Sequence, residues 1–105
     1  MKLRYLLVAV TLLPLLAQSA EIPPELWDRP RSAHAVLAQP AVRQAVAAYQ
    51  ARSAARIVIV HGARQEAQLQ AEELRAWLVA LAVENTRLQL SADPAVRSVR
   101  IEVME

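Results

Sequence analysis

The sequence predicts an α+β fold, a two-layer α/β sandwich with two helices packed on one face of a small three- to four-stranded sheet. Three observations carry this. Apolar residues recur at helical spacing over two stretches, 41–54 and 65–83. Between them lies an unbroken β-branched run, Ile57, Val58, Ile59 and Val60. The stretch "VRSVRIEVME" near the end alternates apolar and polar residues with the period of a half-buried strand. Two helices that each carry one apolar seam bury both seams by sharing a face of the sheet.

Residues 1–19 read as a secretory signal peptide. Lys2 and Arg4 precede an apolar run from Tyr5 to Leu16, and small residues follow from Ala17 to Ala20. Cleavage after Ser19 places Ala17 at the third position back. The run is short and contains Pro14, so it is too broken to span a bilayer comfortably. The expected destination is the periplasm, with no membrane-spanning segment after cleavage.

Lys2 and Arg4 are two of the twelve basic residues, so the chain from residue 20 carries ten basic and ten acidic groups. With no basic excess left to neutralise phosphates, nucleic acid is not an expected partner. The chain has no cysteine, which excludes disulfides, thiolate metal sites and N-terminal lipidation through a thioether. No cofactor is expected.

Residues 20–40 hold four of the six prolines, Pro23, Pro24, Pro30 and Pro40. That density excludes a continuous helix and disfavours a central strand. The expectation is an extended arm anchored by Trp27, with an edge strand or turn near Ser32 to Leu37. Trp27 is equally a candidate contact for a partner.

A single domain is expected over 41–105. Pro40 suits a first helical turn, where its missing N–H goes unneeded. Val42, Ala45, Val46 and Tyr49 then form one face. The β-branched run reads as a strand covered on both faces or lying centrally in a sheet. It ends at His61 and Gly62, the only glycine of the chain. Gly62 has two readings: a backbone approach to an anion at the next helix's N-terminus, or a positive-φ turn.

From Gln65 to Val83 there is no Gly or Pro, and Ala67, Ala71, Leu74, Leu78 and Leu81 line up as a seam widened by Trp77. "ENT" closes the helix. "TRLQLS" alternates with Leu88 and Leu90 on one face, "ADPA" marks a turn, and Val99, Ile101 and Val103 point inward along the last strand.

The strand and its glycine, "RIVIVHGARQ", the helix stretch "AEELRA" and the closing "SVRIEVM" follow one another in an order that resembles the OmpA-like domain. This is a peptidoglycan-binding module of bacterial envelopes. The resemblance implies a core of helix, apolar strand, glycine, loop, helix and closing strand. It also implies a site where an aspartate after the glycine and an arginine in the helix hold the diaminopimelate of the peptidoglycan stem. Arg75 falls on that arginine. Gln65 stands at the aspartate position, and neither Ala63 nor Arg64 is acidic. A site that pairs a carboxylate with an ammonium and a guanidinium with a carboxylate has then kept half its chemistry.

Candidate ligand-binding residues are therefore Arg75, Gly62, Gln65 and Arg64, with Trp27 as a partner contact. Arg75 and Arg64 could form an anion patch, or could pair with Glu72 and Glu73 along the helix. His61 and His34 lack carboxylates at ligand spacing, so no metal site is expected. Ser19 and Ser32 have no His/Asp partners, and adjacent Glu72 and Glu73 point in different directions, so no catalytic constellation assembles. The expected function is a non-catalytic periplasmic binding module with a degenerate peptidoglycan site. Its partner would be peptidoglycan, held weakly, or another envelope protein. The alternative is an accessory subunit of an envelope or secretion assembly, acting through protein–protein contacts.

Overall fold

A computed structural model describes residues 17–105. The apolar run of the expected signal peptide lies outside the described residues. In chain order the elements are β1 (Ala17–Glu21), α1 (Ala33–Leu37), α2 (Pro40–Ala51), β2 (Arg56–His61), α3 (Gln65–Ala80), β3 (Leu88–Ala92) and β4 (Val99–Met104). Short 3-10 turns occupy Pro24–Asp28 and Asn85–Arg87.

The sheet order is β1-β4-β2-β3. β4 pairs antiparallel with both β1 and β2, and β2 pairs parallel with β3. The last strand of the chain thus lies between the first two. In β4, Val99, Ile101 and Val103 are buried and alternate with half-buried neighbours, so one face of the sheet is the inner one. Ile57 and Ile59 share that face through their register with Val103 and Ile101.

Both long helices close over it. α2 contributes Ala41, Val42, Ala45, Val46 and Tyr49 to the core, and α3 contributes Ala67, Ala71, Leu74 and Leu78 to its buried side. This is the two-layer sandwich that the periodicities predict. Trp77 and Leu81 pack half-buried at the core's margin.

Several details differ from expectation. The proline-rich segment is folded, not extended. Ile22, Leu26 and Val36 enter the main core, and Trp27 packs half-buried against it. The stretch near Ser32 is helical, because the Ser32 hydroxyl accepts a bond from the Ala35 N–H at 3.1 Å and caps the turn. α3 ends at Ala80, before "ENT". Ala82 adopts a positive φ of 75°, and the Val83 N–H returns to the Leu78 carbonyl at 3.0 Å. That backbone reversal, ordinarily made with glycine, stops the helix three residues early.

The outer face of the sheet carries its own small apolar cluster of Val58, Val60 and Val96, with Met104 beside it. Arg100 and Glu102 form an ion pair along β4 on this side, at 3.0 Å. Val96 belongs to the connection between β3 and β4. Because those strands flank β2, the connection has to cross the end of β2, and this crossing shapes the candidate site.

Candidate functional site

β2 delivers His61 and Gly62 to the point where the chain turns into α3. The Gly62 N–H donates to the Ser98 carbonyl at 3.0 Å, and the Asp93 N–H donates to the His61 carbonyl at 2.9 Å. Both bonds tie the end of β2 to the crossing 93–98 segment. No glycine has a positive φ, so the turn does not depend on left-handed backbone. The glycine is needed for space: a Cβ on Gly62 would stand 2.4 Å from the Val96 carbonyl oxygen and 3.0 Å from that of Arg97. The chain's own carbonyls occupy the space that an anion approaching the glycine backbone would need.

Arg64 is the residue before the first turn of α3, and no side chain caps the helix there. The first N–H groups of α3 therefore point outward with no bond from a capping side chain. Gln65 opens the helix and is exposed, and Glu66 puts a carboxylate into the first turn. An open hollow of about 400 Å³ lies beside this terminus, lined by Ala63, Arg64, Pro94, Val96 and Arg97. Two guanidinium groups and a helix N-terminus favour an anion there. Glu66 competes for the same field.

Arg75 does not line this hollow. It is exposed, and ten residues separate it from Gln65, about 15 Å along the axis and nearly three turns on. Of the sequence-predicted residues only Arg64 lines the hollow; Gly62 is covered by the crossing backbone, Gln65 is exposed at the start of the helix, and Arg75 lies apart. Arg97 joins the hollow instead. It was not legible as a site residue, since its placement depends on the crossing of β2.

Trp27 belongs to a second cluster, between the proline-rich segment and α3. Arg31 forms a bidentate pair with Glu73, Nε to Oε2 at 2.7 Å and Nη2 to Oε1 at 2.9 Å. Its remaining Nη1 donates to the Trp27 carbonyl at 3.0 Å and the Arg29 carbonyl at 2.7 Å. Trp77 Nε1 donates to Glu73 at 3.0 Å, and the Arg31 guanidinium stands 5.7 Å from the Trp27 ring centroid. Trp27 Nε1 is buried with no partner among the described residues. The hydrogen bonds from Arg31 hold the Glu73 carboxyl below its ordinary pKa against the opposing effect of desolvation, with Trp77 and the charge of Arg31 adding to the lowering. Glu73 in turn raises Arg31. Glu73 is thus the partner of the folded arm rather than of Arg75 or Arg64, while Glu72 receives a long bond from Gln68 at 3.4 Å.

His61 is buried, with Nδ1 2.9 Å from the Gly62 carbonyl oxygen, and His34 is exposed on α1. Among the described residues, no group of three or more His, Cys, Asp or Glu side chains could hold a metal ion. None of the described helices is long and apolar enough to cross a membrane. A smaller hollow of about 140 Å³ lies between Pro23, Leu26, Pro30 and Ala35, rimmed by Glu25, Arg29 and Gln39.

Comparison with known protein families, with curated proteins and with solved structures gives no significant match.

Proposed function

We propose that the chain is an exported, non-catalytic binding module of the cell envelope, of divergent OmpA-like type, whose site recognises an anionic group weakly. The observation that carries the reading is the hollow beside the α3 N-terminus, where Arg64 and Arg97 supply positive charge. The order helix, apolar strand, glycine, helix, closing strand supports the family resemblance. The family's ligand needs an acid and an arginine closing on one amino-acid head group. With Gln65 and Arg75 nearly three turns apart on α3, that clasp does not form. A carboxylate of the peptidoglycan stem, or of an acidic segment on an envelope protein, is what remains for two arginines to hold.

Sedimentation with purified peptidoglycan tests this. Weak binding that fades with salt is expected, because exposed charges are screened. It should be lost in an Arg64→Ala/Arg97→Ala double variant and unchanged in Arg75→Ala. Tight binding that survives the double variant would refute the assignment. No sedimentation at low salt would remove peptidoglycan as the ligand and leave the accessory-subunit alternative, which co-purification from envelope fractions addresses.

A further inference from the structure

The sequence expected of an export-cleavage site, Ala17-Gln18-Ser19 followed by Ala20, is not a loose tail in this fold. It forms most of β1. Ala17 pairs with Met104, Gln18 with Val103, Ser19 with Glu102, Ala20 with Ile101 and Glu21 with Arg100. The Ile22 N–H donates to the Val99 carbonyl at 2.9 Å. Antiparallel pairs alternate between bonded and non-bonded, so the N–H groups of Ala20 and Gln18 also face β4, and those of Ser19 and Glu21 face away. The bond between Ser19 and Ala20 therefore lies inside a paired strand. On the inner side, Ala20 packs against the main core, and Ile22, fully buried, pins the strand's end.

A peptidase takes its substrate as an extended segment along its own groove, and a strand already bonded to β4 cannot enter one. We propose that β1 conceals the cleavage sequence: processing after Ser19 occurs only before the domain folds, and the folded precursor is a protected species. The proposal rests on the reading of residues 1–19 as an export signal. A second consequence concerns the product. Cutting there removes three of the five paired residues of β1 and leaves the outer edge of β4 open from Glu102 to Met104.

The test uses the full chain in mild detergent. Purified signal peptidase is added either as the chain is diluted out of urea or after refolding is complete. Cleavage after Ser19 is expected in the first case and slowed roughly tenfold or more in the second, since only transient opening exposes the bond. Equal rates would overturn the proposal. A chain that is not cut after Ser19 even on dilution would remove the export reading, and the proposal with it. Hydrogen exchange on the refolded chain separates the two failures. The amides of Gln18, Ala20 and Ile22 should be protected while those of Ser19 and Glu21 exchange. Uniformly fast exchange over 17–21 would show β1 unpaired and refute the concealment whatever the peptidase does.

Discussion

Replacing Gly62 with alanine tests the central geometric claim, that this glycine serves the close passage of one chain segment over another. The added Cβ would lie 2.4 Å from the Val96 carbonyl oxygen. An ordinary contact needs roughly 1 Å more, and packed protein interiors yield little. The obstacle is backbone on both sides, held by the Gly62 to Ser98 bond of 3.0 Å, so no side chain can swing away. Forcing such a shift costs about 1–3 kcal/mol. Against this, alanine reduces the freedom of the unfolded chain, which offsets about 0.4–1 kcal/mol. Taking the middle of each range, the net expectation is a loss of about 1.3 kcal/mol, which in a domain of this size lowers the melting temperature by about 5–10 °C. Thermal unfolding followed by circular dichroism reads this directly. Adding one residue between Pro94 and Ala95 lengthens the crossing segment and should restore part of the loss in the Gly62→Ala background. A melting temperature unchanged or raised by Gly62→Ala would refute the steric argument.

Further expectations concern the core and its attachments. Ile59→Ala and Leu78→Ala, both at fully buried positions of the main core, should each cost about 2–5 kcal/mol in urea unfolding; a barely shifted midpoint would place them outside the core. Arg87 donates from Nε to the buried Ala55 carbonyl at 2.7 Å and lies 4.1 Å from the Tyr49 ring centroid, so Arg87→Met should cost about 1.5–3 kcal/mol by the same measurement. The Arg31–Glu73 pair should make stability depend on pH. Because the folded-state pKa of Glu73 is lowered, its contribution is complete above the ordinary glutamate pKa of about 4.3 and is lost as pH falls through the folded-state value. The melting-temperature gap between the natural chain and Glu73→Gln should therefore narrow from pH 7 towards pH 3, and a constant gap would count against the pair.

The elements with strong periodicity were legible from residues alone. The seams of α2 and α3 and the alternation of β4 each reflect a segment with one side in the core, a property written locally in the sequence. β1 was not legible. Ala17 to Glu21 has small and polar residues with little strand preference, and it is extended because the edge of β4 offers unpaired N–H and C=O groups. The proline-rich segment folds where an extended arm was expected, although Ser32 before Ala33 is a helix-start signal and Pro24 sits in the first turn of its short helix. The role of Gly62 could not be read, because it depends on strand order. Nothing in "VHGAR" reveals that residues 96 and 97, more than thirty positions on, pass across it. The same holds for Arg97, which reaches the α3 N-terminus only through that crossing.

The place of β4 in the sheet bears on when this domain can exist during synthesis. A nascent chain that has emerged only to Ser98 holds the sequence of all three helices and of the β2–β3 pair. Its β1 has no neighbour, and the inner face still lacks Val99, Ile101 and Val103. The gap is central, since β4 joins what would otherwise be a two-stranded sheet and a stray segment. Ribosomes deliver about 5–20 residues per second, so the segment carrying the first strand waits several seconds for its partner to leave the exit tunnel. Over that interval the chain has no complete core to close upon. It remains the kind of polypeptide that a translocation channel can thread.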